Sequence, residues 1–193
     1  MYDGIIKPRI DLKQQETVKC EKCESKFFKE VVMLKKVPKL LTGSHIGRII
    51  IPSYNKKGDL NYYVGRSWDP RSRAKYRNPE AEKEKIIFWE NLIDWNKDIY
   101  LVEGAFDGMF LDNPVVMLGK HMSELLFETI YNNAKGNIII CLDGDAWDNA
   151  VMLHHELNGG ELWGRVKIVK LPDDRDVCDL RGQIDDYYYE IKD

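Results

Sequence analysis

Asn137-Ile138-Ile139-Ile140-Cys141-Leu142-Asp143-Gly144-Asp145 is an apolar run that ends abruptly in two carboxylates around a glycine. Forty residues earlier, Tyr100-Leu101-Val102-Glu103-Gly104-Ala105-Phe106-Asp107-Gly108 follows the same plan, with a glutamate before the glycine. Each run has the length of a buried strand, and each stops where a helix can begin. The C-terminal ends of parallel strands share one edge of a sheet, and ligands bind there. Glu103, Asp143 and Asp145 would then converge on one spot. Hard oxygen ligands gathered in this way are how a protein holds Mg²⁺ next to phosphate.

Outward from these two segments, strand and helix alternate regularly. Ile99–Val102 reads as a strand, Phe106–Leu111 as a short helix and Pro114–Leu118 as the next strand. Ser123 caps a helix running to about Ala134, with Leu125, Leu126, Ile130 and Tyr131 on one face. Ile138–Leu142 is a strand, Trp147–Leu157 a helix stopped by Gly159-Gly160, and Val166–Leu171 a fourth strand. Such connections require parallel strands with helical crossovers, so the class is α/β, a central mostly parallel sheet flanked by helices.

Upstream the pattern changes. Arg48-Ile49-Ile50-Ile51-Pro52 and Leu60–Arg66 read as the arms of a hairpin turning at Asn55–Asp59, where Gly58 supplies the turn dihedral. Ser67–Glu80 is an irregular loop carrying Arg71, Arg73, Lys75 and Arg77 with Trp68 and Tyr76, and Ala81–Trp95 has a helix-forming composition. Three segments result: residues 1–44, polar with Cys20 and Cys23; 45–97, a small basic β-containing (α+β) part; and 98–193, the α/β domain.

Charge follows the same division. Residues 1–97 carry 21 Lys+Arg against 13 Asp+Glu, whereas 98–193 carry 8 against 19. A basic half joined to an acidic half fits a nucleic-acid-binding surface beside a metal-binding one, although solvated surfaces also drift in sign. No apolar run approaches the ~18 residues of a membrane helix, and the N-terminus has no signal-peptide pattern. Cys141 lies within an apolar strand, so a reducing cytoplasm is expected rather than a disulfide framework.

The Glu-Gly after one strand and the Asp-x-Asp after a later one, with helix, strand and helix between them, resemble the Toprim domain over about Asp98 to Leu180. Primases, topoisomerases and some nucleases share that domain. The resemblance implies that Glu103, Asp143 and Asp145 are catalytic and bind Mg²⁺ or Mn²⁺. Asp107 falls on a further acidic position of primases, and Asp176, within Leu171-Pro172-Asp173-Asp174-Arg175-Asp176, on another. Cys178 stands where the family has Asp or Asn, so a ligand is missing there or Asp179 substitutes.

The basic half narrows the resemblance. Gly65-Arg66 at a strand end, then Lys75-Tyr76-Arg77-Asn78-Pro79, then Lys83 ahead of Phe88, look like the subdomain preceding Toprim in DnaG-type primases of a phage-like kind. The resemblance then spans about Arg48 to Leu180. It implies nucleotide and template binding by Arg66, Lys75, Tyr76, Asn78 and Lys83, with single-stranded DNA, NTPs and an RNA primer as partners. Trp68, Tyr62 and Tyr76 could stack on unpaired bases. No Gly-x-x-x-x-Gly-Lys-Ser/Thr loop occurs, so a replicative helicase or a second primase subunit would act in trans, as in a split primase.

Plainer readings stand beside these. Asp is common at helix caps and in first turns, the Arg71–Arg77 run could be a solvated loop, and Tyr62, Tyr63 and Trp68 suit strand packing. Trp147 reads as helix-start packing, and His154-His155 as structural or surface residues. Cys20-x-x-Cys23 is half of a zinc-knuckle spacing. It is open to three readings: a degenerate remnant, a Zn²⁺ site completed by His45 or another chain, or free thiols. Two other functions compete with primer synthesis: a Toprim nuclease or maturase cleaving phosphodiesters, and a non-catalytic scaffold on single-stranded DNA.

Overall fold

Three consecutive isoleucines, Ile138–Ile140, are each at most 1% exposed. A strand buried on both faces has no need of alternation, and covered parallel sheets are built this way. The computed structural model describes residues 47–180 and 183–189. Cys20, Cys23, His45 and the rest of the N-terminal segment lie outside the described residues. Contacts group the described residues into two compact units: 47–51 with 63–79, and 52–62 with 80 onward.

The second unit holds a five-stranded sheet in the order β4-β3-β5-β6-β7. Its strands are β3 (Ile99–Val102), β4 (Pro114–Val116), β5 (Ile138–Ile140), β6 (Val166–Val169) and β7 (Tyr188–Tyr189). The first four are mutually parallel, with Leu101 opposite Val115 on one side and Ile140 on the other, and Ile140 opposite Ile168. The expected α/β sheet is therefore present: β3 has the expected bounds, and β4, β5 and β6 each end two residues earlier than the apolar run suggests. The starts of β3 and β5 are tied together by Asp98, whose carboxylate accepts the Asn137 N–H at 2.7 Å.

Three helices connect the strands: α1 (Ala105–Gly108), α2 (Glu124–Asn133) and α3 (Trp147–Leu157). The first covers one turn, shorter than the expected Phe106–Leu111. Ser123 Oγ accepts the Leu126 N–H at 3.2 Å and caps α2 as its sequence predicts. The buried stripe of α2 is Leu126, Ile130 and then Ala134, spaced by four. Leu125 does not join it, being 39% exposed, because one residue turns the helix by about 100° away from the sheet. In α3 the buried residues are Ala150, Leu153 and Leu157. Each buried leucine or isoleucine among these contributes about 1.5–3 kcal/mol through burial, the alanines less.

The helix expected over Ala81–Trp95 does not form. Two 3₁₀ turns, Lys83–Lys85 and Glu90–Leu92, flank a stretch in which Ile87, Phe88 and Trp89 are all buried. Three consecutive buried side chains cannot come from one helical stripe. Trp89 takes left-handed backbone angles (φ 56°), donates its N–H to Ser53 Oγ at 2.8 Å and its indole N–H to Pro52 O at 2.9 Å. Tyr62 packs edge-on against Phe88, with ring centroids 6.3 Å apart, so it is a core residue.

Strand β7 was not foreseen in the sequence. It pairs antiparallel to β6 and is fastened by Tyr189 set edge-on against Trp147, with centroids 5.0 Å apart. Trp147 thereby does the packing expected of it. In the hairpin, β1 (Arg48–Tyr54) and β2 (Leu60–Ser67) form a two-stranded sheet. Asn55 Oδ1 accepts the Lys57 and Asp59 N–H groups at 2.9 and 3.0 Å, and Gly58 takes φ 84°. No helix among the described residues is long and apolar enough to cross a membrane.

Candidate active site

The C-terminal ends of β3 and β5 lie side by side, and the chain leaves each through carboxylates. Beyond β3, Glu103 is half-buried, and Gly104 opens α1. The Asp107 carboxylate folds back to accept the Gly104 N–H at 3.1 Å, the half of a capping box that a glycine N-cap allows. A Cβ on Gly104 would sit 2.8 Å from Asp107 Oδ2, so the missing side chain is what admits the carboxylate. Asp107 therefore has a capping duty besides whatever ligand role it serves.

Beyond β5, Asp143 is half-buried, Asp145 exposed, and a 3₁₀ turn spans Gly144–Ala146. The Gly144 N–H donates to Arg175 O at 3.0 Å. A Cβ at Gly144 would lie 1.9 Å from Pro172 O, an impossible approach, so only glycine allows the Pro172–Asp176 segment to close over the Asp-x-Asp turn. That segment carries Asp176, exposed, whose Oδ1 accepts the Asp179 N–H at 2.9 Å. Cys178 is half-buried, with Sγ 3.5 Å from Phe106 O and 3.6 Å from Asp107 Oδ1. At the position where an acid was implied, a neutral thiol faces the Asp107 carboxylate.

The electrostatic result is concentrated on Asp143. Burial, then the negative charges of Asp107, Asp176, Glu103 and Asp145 in that order, push its carboxyl up to about 6. The Cys141 thiol, buried beneath, is pushed up to about 12, first by burial and then by Asp107 and Asp143. The donors suit a hard divalent cation, which would relieve the mutual repulsion that Asp143 feels. Among the described residues, no three His, Cys, Asp or Glu side chains stand close enough to hold one ion as they are. The carboxylates are gathered on one edge but not closed into a cage.

Lys83, exposed, belongs to the same unit and donates from Nζ to Leu118 O at 3.2 Å. The other basic residues singled out in the sequence lie in the first unit. Arg66 and Tyr76 form a β-bridge, flanked by the Ser67 N–H bonded to Lys75 O at 2.8 Å and the Arg77 N–H bonded to Gly65 O at 2.7 Å. The Arg66 guanidinium and the Lys75 ammonium each lie 5.7 Å from the centroid of the Tyr76 ring. Asn78 Oδ1 accepts the Gly65 N–H at 3.3 Å. Arg66, Lys75, Tyr76 and Asn78 are thus brought together, while Arg71 is paired with Asp69 at 3.1 Å.

Arg48 escaped the sequence reading. Its guanidinium donates to Gly65 O at 3.3 Å, Lys75 O at 3.2 Å and Ala74 O at 2.8 Å, clamping the basic loop onto the strand. Nothing local announces this, since its partners are 17 to 27 residues away.

No protein-family model matches the chain. It is 34% identical over 74 residues to the DNA primase of Enterobacteria phage T4, across 37% of this chain and 21% of that one. Among solved structures, the DnaG catalytic core is similar with a TM-score of 0.57 and 23% identity, covering 74% of this chain and 50% of that chain. A DNA primase domain from Pseudomonas aeruginosa gives 0.55 and 25%, covering 70% and 46%. A DnaG primase catalytic domain bound to single-stranded DNA gives 0.56 and 24%, covering 69% and 47%. The chain spans about a fifth of the phage relative and about half of these solved chains. In sequence part of it is similar to a phage DNA primase, and in fold it is similar to the catalytic core of DnaG-type primases.

Proposed function

We propose that this chain is the catalytic part of a DNA primase, making short RNA primers on single-stranded DNA from nucleoside triphosphates. The observation that carries the reading is the set of four carboxylates whose charge bears on Asp143, at the strand ends of a primase-type sheet. Glu103, Asp143 and Asp145 would hold Mg²⁺ or Mn²⁺, with Asp107 and Asp176 adding charge and ligands. When bound, the cation lowers the charge cost of bringing a 3′-hydroxyl to the α-phosphate and of releasing pyrophosphate.

The chain's own residues do the rest. Asp143, raised to about 6 without a cation, must give up its proton before it can serve as a ligand, so activity is expected to fall as the medium turns acid. Arg66 and Lys75 offer cations to the nucleic-acid backbone, and Tyr76, 44% exposed, offers a face for a base. Asn78, exposed and holding the Gly65 N–H through Oδ1, would contact nucleotide or template beside them. Lys83 is directed to nucleotide phosphate. The solved catalytic domain bound to single-stranded DNA supports the choice of template. A replicative helicase or second primase subunit would act in trans.

The test is incubation of the full chain with single-stranded DNA, labelled NTPs and Mg²⁺ or Mn²⁺, beside Glu103→Gln and Asp143→Asn. Short labelled RNA, abolished by EDTA and reduced at least about a hundredfold in both variants, is the expected result. Shortened template without RNA would make the protein a nuclease. Binding to DNA without either product, even after a partner is supplied, would make it a scaffold.

A further inference from the structure

The connection leaving β4 turns under strain beside the acidic edge. Leu118 takes φ 61° and Gly119 φ 152°, both in the region that L side chains avoid. The Gly119 N–H donates to Glu103 O at 3.2 Å, which ties this turn to the end of β3. Lys83 Nζ bonds to Leu118 O and would lie 3.2 Å from a Cβ on Gly119. The next two residues, Lys120 and His121, are both exposed. A lysine drawn in from 35 residues away thus joins a second lysine and an imidazole on one turn.

Strand order decides what this turn faces. The C-terminal edge reads β4, β3, β5, so the basic turn comes first, Glu103 next, and Asp143 with Asp145 third. Neighbouring strands are about 4.8 Å apart, which separates the outer two by roughly 10 Å. A polyphosphate chain extends over a comparable distance. Its ends would meet opposite surroundings: carboxylates suited to a cation on one side, ammonium groups on the other. Lysine serves phosphate as a mobile point charge and needs no fixed fork geometry.

We propose that the Leu118–His121 turn, with Lys83, grips the terminal phosphates of the nucleoside triphosphate, and that Lys120 is a binding residue of this site. This rests on the primase reading, and two measurements keep them separate. The full chain is titrated with inorganic tripolyphosphate in Mg²⁺ by calorimetry, and KM and kcat for NTPs are measured in primer synthesis. Lys120→Ala is expected to weaken tripolyphosphate binding about fivefold or more and to raise KM similarly, with kcat within about twofold; Lys120→Arg restores both. Tripolyphosphate binding that is unchanged in Lys120→Ala, or absent in the unaltered chain, overturns the inference while primer synthesis leaves the primase reading standing. Binding that depends on Lys120 in a chain that makes no primer upholds the phosphate site and removes the primase reading.

Discussion

The acidic edge of the sheet and the basic loop of the other unit are assembled by different kinds of contact. At the acidic edge, backbone geometry does the positioning: strands end in register, and Gly104 and Gly144 admit neighbours that any side chain would exclude. In the basic loop, side chains reinforce a single backbone bridge: Arg48 binds three carbonyls and Asn78 one N–H around the Arg66–Tyr76 pairing. Charges of one sign repel, so the first arrangement stores unfavourable energy in a rigid frame. The second spreads its cations over an exposed loop, where water and salt screen them. Rigid gathering suits a cation site, and screened, adjustable charge suits a polymer backbone.

The largest effect should come from breaking the frame. Gly144→Ala puts a methyl where Pro172 O stands, and we expect a loss of about 3 kcal/mol in urea unfolding together with loss of any activity. A variant as stable as the parent would show that the Pro172–Asp176 segment moves aside freely.

Next in size is the clamp. Arg48→Ala takes one of two donors from each of the Gly65, Ala74 and Lys75 carbonyls, which keep the Arg77 N–H, Ser72 Oγ–H and Ser67 N–H, at a cost of about 1 kcal/mol that should be confined to that unit. Hydrogen exchange should quicken around residues 65–77 but not in β5, and single-stranded DNA binding should weaken a few-fold. Uniform exchange across the chain would contradict the division drawn above.

Cys178→Asp sharpens the comparison from the other side. It sets a second carboxylate about where Sγ now lies, 3.6 Å from Asp107 Oδ1. Stability without divalent cation should fall by about 1 kcal/mol, and Mn²⁺ should protect the variant from heat more than it protects the parent. Equal protection of both chains would remove Cys178 from the neighbourhood of the ion.

The smallest effect concerns pH. The folded Asp143 carboxyl holds its proton up to about pH 6, whereas the unperturbed value is 3.8. Folding therefore favours the protonated form: no penalty exists below about pH 4, it grows as pH rises through the window between the two values, and it is complete above about 6. Asp143→Asn should raise the cation-free melting temperature at pH 7.5 and leave it unchanged at pH 3.5. Half-burial and solvent screening keep the gain near 1 kcal/mol. A shift of equal size at both pH values would assign the gain to packing instead.

What the sequence discloses here follows the range of the interactions. Helix α3 spans Trp147–Leu157 as read, and Ser123 caps α2, because periodicity and caps are written within a few residues. The carboxylates at the strand ends were legible for the same reason, each marking the close of an apolar run. The Ala81–Trp95 segment was misread because its composition favours a helix, while Ser53 and Pro52, more than thirty residues away, bind Trp89 in another conformation. Arg48, the thiol beside Asp107, and the junction of Lys83 with the turn after Leu118 are likewise long-range. Two tyrosines forming β7 carry too short a pattern to register as a strand.

Those two tyrosines have a consequence for the protein in crowded solution. A sheet's outer strands offer unpaired backbone groups to any passing chain, and short or proline-bearing rims discourage that pairing. Among the described residues one rim is β4, three residues long and opening with Pro114, and the other is β7, two residues long. Between them stand isoleucine-rich strands that would aggregate readily if laid bare. A chain ending before Tyr188 would expose the side of β6, and its sedimentation should then depend on concentration more strongly than the parent's. The C-terminal tyrosines act as a selvedge, finishing the sheet so that it does not knit to its neighbours.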